Sequence, residues 1–337
     1  MQKAREFGVA FECTRARDYV AAVRIAEDLG FGTFWVPEDP MFPGAFATAA
    51  AVAANTQNIK IGIGVLNPWT RHPVQTAMEL AALDDISEGR AVLGLGASVK
   101  LWIEDQLGIP YMRPAVALRE TVDIISRLFC GEQLNYQGRV FKAVGVRATF
   151  SPRRAHVPIH LGVMAPRTLA LAGELADGVL LNSTAAPVLI RAACEGVCRG
   201  AERAAKNLDG FSFGSYLAMA MAPNEQSARE ALKPYIAMLI AVFAKQPQVP
   251  FLEQAGLTPE AGARFTERFL RGESASDMVT DAMIDTLAVA GSYQRCREIL
   301  AGIIDAGITS PVLFFPPPTN FAQTARAVAE HIFPHFL

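Results

Sequence analysis

Residues 59–96 read IKIGIGVLNPWTRHPVQTAMELAALDDISEGRAVLGLG. The pattern predicts strand, loop, helix, turn and strand in that order. The first strand covers residues 59–64 and the last residues 90–94. Between them the spacing predicts a helix over 73–86, with apolar Val74, Ala77, Met78, Ala81 and Leu83 close to one face. Pro73 suits the first helical turn, where a missing N–H removes no hydrogen bond. Glu88 and Gly89 end the helix. Two apolar strands joined by a helix make a parallel βαβ unit. The loop from Gly64 to Pro73 is polar and proline-rich, and carries Trp69, Arg71 and His72. It leaves the C-terminal end of a buried strand, which is where parallel α/β folds bind ligands.

The same unit recurs in both directions. Strands are predicted at 7–11, 33–36, 158–162, 178–181, 211–220 and 311–315. Helices are predicted at 16–29, 46–54, 113–129, 167–175, 224–243, 293–306 and 320–332, with another ending near 206. About eight strand–helix repeats fit a closed (β/α)8 TIM barrel better than an open sheet. Three excursions interrupt the repeat, near 98–112, 133–156 and 250–288. The second reads as a hairpin and the third as helical. Insertions of this kind above barrel strands form lids over a site. No Ser/Gly-rich linker divides residues 1–337, so a single domain is expected.

Composition narrows the class. The chain has 337 residues, 51% apolar, 19% charged and a formal net charge of −2. That describes a globular protein and argues against disorder or nucleic-acid binding, which needs a basic surplus. No apolar run reaches the roughly 20 residues that span a bilayer; the longest, 235–244, reads as a buried helix. The first residues carry charge without an apolar core, so no secretory leader is expected. Five scattered cysteines fit reduced thiols in a cytoplasm. Cys194 and Cys198 share a helix face, but no further ligand completes a metal site, and the five histidines show no ligand spacing. No metal is expected.

Several catalytic signatures fail on context. Gly210 to Gly214 fits G-x-S-x-G, yet Ser212 enters a strand instead of turning from strand into helix. Gly62 with Gly64, and Gly94 with Gly96, lack the third glycine of a dinucleotide fingerprint. What remains is a set of residues at strand C-termini. Glu12 and Cys13 follow the first strand, Glu38 and Asp39 the second, and Gly64 to His72 the third. Gly96, Ala97 and Ser98 follow the fourth, Val163 to Arg167 the fifth, and Asn182, Ser183 and Thr184 the sixth. In a barrel these all face one mouth. Ordinary turn chemistry accounts for the prolines and part of the rest. It does less well with Glu12, Glu38 and Asp39, because carboxylates in a barrel mouth are costly unless solvated, paired or used. Gly162 to Arg167 runs from a strand into a helix, and free N–H groups at a helix start suit a phosphate. The alternative is a plain barrel turn with Arg167 in solvent.

Two motifs carry a family resemblance. Asn67 to Pro73 matches N-P-[YW]-T-R-H-P, and Leu83 to Gly96 matches L-D-x-L-S-x-G-R-x-x-L-G-x-G. Weaker matches are Thr168 to Gly178, Ala290 to Ser292, and Asp305 to Gly307. In these the chain resembles the bacterial luciferase-like superfamily of flavin- and deazaflavin-dependent oxidoreductases. The branch it most resembles uses coenzyme F420 and includes methylenetetrahydromethanopterin reductase. The resemblance implies a TIM barrel with the cofactor ring in its C-terminal mouth and a non-prolyl cis bond at Gly64–Val65. It further implies that Gly64, Val65, Asn67, Gly96, Ala97 and Ser98 contact the cofactor. Gly162, Val163, Met164, Ala165 and Arg167, with Ser183 and Thr184, would take its phosphate.

The activity implied is hydride transfer between F420 and an organic small molecule. Glu12 and Glu38, then Asp39 and His72, are the expected proton-handling groups. Pairing of Glu38 or Asp39 with Arg71 would instead keep that carboxylate charged and structural. The chain departs from relatives with an acid–His pair here, since Glu38, Asp39 and Pro40 include no histidine. The apolar loop 41–44 is a candidate substrate contact. Two other readings stand: an FMN-dependent monooxygenase using oxygen, and a non-catalytic flavin-binding barrel. Family analogy implies a homodimer, while charge and hydropathy lead to the expectation of no nucleic-acid or membrane partner.

Overall fold

A computed structural model describes residues 6–39, 42–244 and 250–337. Its strands are β1 Gly8–Phe11, β2 Thr33–Val36, β3 Lys60–Leu66, β4 Ala91–Gly96, β5 Gln133–Gln137, β6 Lys142–Arg147, β7 Ile159–Gly162, β8 Gly178–Leu181, β9 Ser212–Met221, β10 Ala288–Gly291 and β11 Ser310–Phe315. β1, β2, β3, β4, β7, β8, β9 and β11 pair in parallel in that order, and β11 returns to β1. The ring is closed, as the strand–helix repeat predicts, so it has no free edge. Strands such as β1, β2, β4 and β8 are buried throughout. That is why they read as near-continuous apolar runs and not as alternating ones.

The excursions take the expected characters. Residues 133–156 contain the antiparallel β5–β6 hairpin. Residues 98–112 hold a π-helical turn, Leu101–Gln106. Residues 250–288 supply the helices Pro250–Gln254, Pro259–Leu270 and Asp281–Leu287. β10 was not anticipated. Ala288-Val289-Ala290-Gly291 is too short and small for its period to distinguish strand from helix. It pairs with residues 218–221 of β9, where Ala218 also faces Phe314 of β11. β10 therefore lies on the flank of β9 that β8 occupies lower down, extending the wall at the mouth.

The second sequence motif turns out to be architectural. Helix Pro73–Ile86 ends in a turn with left-handed Glu88 (φ 55°) and Gly89 (φ 85°). Asp84 is fully buried, and Arg154 grips it from Nε at 3.0 Å and Nη2 at 2.6 Å. Arg90 donates to the carbonyls of Ile59 at 2.8 Å and of Ala53 and Thr56 at 3.0 Å. These bonds tie the βαβ unit to the helix before it and to the segment leading into β7.

Among the described residues, no helix is long and apolar enough to cross a membrane. None of the five cysteines is in a disulfide, and no cluster of metal-binding side chains is found among the described residues. Ser212 sits at the start of β9, the end of the barrel opposite the mouth. Residues 1–5, and with them most of the charged start of the chain, lie outside the described residues. So do Pro40 and Met41.

Candidate functional site

Glu12, Asp39, Asn67, Ser98, Met164 and Ser183 all follow C-terminal ends of barrel strands, so one mouth gathers them. Glu12 and Asp39 are half-buried, and among the described residues neither carboxylate has a hydrogen-bond or ion-pair partner. Burial, and then the charge of Asp39, push the Glu12 carboxyl up to about 7. Burial, and then the charge of Glu38, push Asp39 up to about 6. Two like charges in one desolvated mouth resist simultaneous ionisation, so one proton is held near neutral pH.

Glu38 has a different fate. Its Oε1 pairs with Arg71, whose Nε also lies 3.0 Å from Glu79 and whose guanidinium covers the Phe46 ring at 5.6 Å. Burial raises the Glu38 carboxyl while Arg71 opposes the rise. This is the paired alternative that the sequence left open. His72 is exposed, and its Nδ1 accepts from the Val74 N–H at 3.2 Å, capping helix Pro73–Ile86. It serves the helix start, as Glu38 serves Arg71.

Asn67 is buried and closes its own loop. Its Oδ1 accepts from the N–H groups of Trp69 at 2.9 Å and Thr70 at 3.0 Å. Trp69 Nε1 then donates to Ala97 O at 2.9 Å, and Tyr111 Oη to Ser98 O at 3.2 Å. The loops after β3 and β4 are thereby fastened together, and Ser98 adopts a left-handed φ of 56°.

The peptide Gly64–Val65 is cis, as the resemblance implies. β3 and β4 lose register between Ile63 and Leu66, so both strands run two residues beyond their predicted ends. The Val65 side chain fills the gap. A Cβ at Gly96 would lie 2.6 Å from Val65, and one at Gly162 would lie 2.7 Å from it. These two glycines admit the bulge, so their contact in this structure is with Val65.

Val65, Met164, Tyr216, Ala220 and Tyr235 form a half-buried wall against the second core cluster. Helix Pro166–Leu175 starts at Ala165, and helix Pro187–Arg203 at Ala186, each without a side-chain cap and each with proline in its first turn. Two uncapped helix starts after adjacent strands present backbone donors to an anion. Arg167 is exposed at the first of them. Ser183 and Thr184, the other residues expected at the phosphate, follow β8. Both are fully buried; Ser183 Oγ lies 3.4 Å from Tyr235 Oη, and Thr184 Oγ1 has no partner among the described residues. An apolar wall, a buried acid pair and two open helix starts fit a flat ligand bearing a phosphate.

Sequence reasoning missed Tyr216 and Tyr235. Tyr216 Oη donates to Gly64 O at 3.1 Å, and burial and Asp39 hold its phenol well above the usual range. Its mid-strand position gave no sign of a role in the mouth, whereas Tyr235 sits one residue after a helix proline, Pro234, that could have drawn notice.

A family model described as luciferase-like monooxygenase matches residues 4–310. A 5,10-methylenetetrahydromethanopterin reductase of Archaeoglobus fulgidus is 32% identical over 318 residues, covering 93% of each chain. The solved structure of a coenzyme F420-dependent tetrahydromethanopterin reductase from Methanopyrus kandleri superposes with a TM-score of 0.89 over 100% of both chains at 26% identity. An F420-dependent secondary alcohol dehydrogenase, in complex with an F420–acetone adduct, superposes at 0.79 over 98% of both chains. At 20% identity that likeness speaks for the fold alone.

Proposed function

The chain belongs to the luciferase-like monooxygenase family, and from that premise we propose that it is an oxidoreductase moving a hydride between coenzyme F420 and an organic small molecule. The observation that carries the reading is the Glu12–Asp39 acid pair, without other partners, in the same barrel mouth as the Gly64–Val65 bulge. Similarity to the coenzyme F420-dependent tetrahydromethanopterin reductase of Methanopyrus kandleri along 100% of the chain supports the choice of cofactor. Bound in the mouth, F420 supplies or accepts the hydride, chemistry that no side chain provides.

The chain's own residues do the rest. Val65, held between Gly96 and Gly162, offers a firm apolar surface to a planar ring. The backbone N–H groups of Ala165 and Arg167, on either side of Pro166, hold a phosphate, with the Arg167 guanidinium beside them. Met164, Tyr216 and Tyr235 keep water from the reacting face. Glu12, protonated below about 7, donates a proton at its carboxyl as substrate is reduced, and in the reverse direction its carboxylate accepts one. Burial, and then the charge of Asp39, keep that proton on Glu12 near neutrality. Glu38 and His72 stand behind Glu12 in this reading.

Fluorescence quenching of the purified protein by F420 and by FMN tests the cofactor. F420 binding with no FMN binding is expected. Tight FMN with no F420 would favour an oxygen-using monooxygenase, and binding without turnover of any substrate would favour a non-catalytic barrel. Glu12→Gln should lower kcat about a hundredfold or more. In the reducing direction the wild-type rate should fall as pH rises through about 7, and Glu12→Gln should lose that limb. A limb unchanged in the variant would remove Glu12 from the mechanism.

We further propose a homodimer. Helices Ala45–Ala53 and Pro73–Ile86 pack side by side, and their outer face shows Ala47, Ala51, Met78, Ala82 and Ile86 to solvent. A reducing, cytoplasmic setting agrees with five cysteines outside any disulfide.

A further inference from the structure

β3 and β9 stand opposite each other, four strands apart by either route around the ring. Tyr216 of β9 crosses that space and donates its hydroxyl to Gly64 O at 3.1 Å. Gly64 needs such a donor. β2 stops pairing with β3 at Val36–Ile63, and β4 skips from Ile63 to Leu66, so Gly64 has no registered partner on either side. A carbonyl taken from the ladder into a barrel interior requires another donor. The fit is mutual: a Cβ at Gly64 would collide with Tyr216 Oη and lie 2.7 Å from the Trp35 ring. The Trp35 ring stands edge-on to Tyr216, with centroids 6.2 Å apart. Tyr216 is itself half-buried, so its upper side borders the mouth.

We propose that Tyr216 is a positioning residue for the redox ligand: its hydroxyl anchors the Gly64 carbonyl and thereby sets the height and tilt of Val65, the surface on which the ring rests. The role builds on the proposed function, since it needs a planar cofactor at the bulge. It does not need Tyr216 to exchange a proton, and the buried phenol remains a donor across the working pH range.

The test is Tyr216→Phe in the full chain, which keeps the ring against Trp35 and removes one oxygen. Four readouts are compared with wild type: the dissociation constants of F420 and FMN by quenching, the visible absorption band of the bound ligand, the single-turnover hydride-transfer rate, and Tm. The expected result is a displaced absorption band and a transfer rate lowered about tenfold to a hundredfold, with the substrate KM and Tm nearly unmoved. A variant that fails to fold, or one with lowered Tm but unaltered band and rate, makes Tyr216 merely structural and overturns the proposal. Wild type that binds FMN but not F420 defeats the F420 reading alone; an altered FMN band in Tyr216→Phe would still support positioning, and an unaltered one would overturn it. Wild type that binds neither defeats both.

Discussion

At the scale of the residue, the acids of the mouth divide by partner. Glu38 has Arg71, whereas Glu12 has burial and the field of Asp39, and Asp39 has burial and the field of Glu38. Their raised folded-state values have a thermodynamic consequence. A carboxyl whose folded value is raised contributes stability below its unfolded value, and loses it as pH rises through the folded one. For Glu12 that window runs from the ordinary 4.5 to about 7, and for Asp39 from 3.8 to about 6. Urea unfolding at pH 8 should therefore find Glu12→Gln more stable than wild type, by on the order of 2 kcal/mol, although it is nearly inactive. Asp39→Asn removes the charge that helps hold the Glu12 proton, so the activity limb near 7 should move to lower pH. A limb that stays in place would show that burial alone tunes Glu12. The sequence exposed these acids because a carboxylate after an apolar strand is anomalous. It left open which acid was paired, because Glu38 and Arg71 lie 33 residues apart. Tyr216 stayed hidden because an aromatic residue in a strand carries no local mark of what it reaches.

At the scale of the element, the β3 bulge depends on space lent by its neighbours. Val65 occupies volume that any side chain at Gly96 or Gly162 would claim. Gly96→Ala should therefore destabilise by about 1–3 kcal/mol through overpacking, and should weaken cofactor binding by shifting Val65. Adding Val65→Ala should recover most of the lost stability in the same denaturant series, and no recovery would mean that Gly96 is needed for some other contact. The barrel strands were legible because most are buried on both faces and each is followed by a helix. β10 was not, since four small residues beside a helix carry no period of their own. The strand ends after Gly64 and Gly94 were placed two residues early, because glycines that admit a bulge read locally as strand breaks. The D-D-I-S-E-G-R run was legible as a signature, but its reason lies in the buried Asp84–Arg154 pair, whose members are 70 residues apart.

At the scale of the whole molecule, closure leaves the ring itself no unpaired sheet edge, so only the β5–β6 hairpin and β10 offer one, and the rest of the surface is helices and loops. Helix Pro73–Ile86 has apolar residues on nearly every side, unlike helices such as Pro114–Phe129 that turn a charged face outward. Its outer residues Met78 and Ile86 are 55% and 47% exposed, beside the alanine face of helix Ala45–Ala53. These apolar residues, interrupted by exposed Gln75 and Asp85, match a twofold interface with a polar rim, in which the same patch meets its own copy. A stable dimer needs roughly 800 Å² from each partner, which two helices of this length with their flanking turns can supply. Light scattering behind size exclusion should give twice the 36.3 kDa chain mass. Introducing Met78→Lys and Ile86→Lys together should halve it, because two desolvated cations facing their copies across the axis repel. Since β3 leads directly into this helix through the loop closed by Asn67, the separated chains should also bind F420 more weakly. A wild type that elutes as a single chain would assign the apolar face to another partner and leave the barrel complete without a second copy.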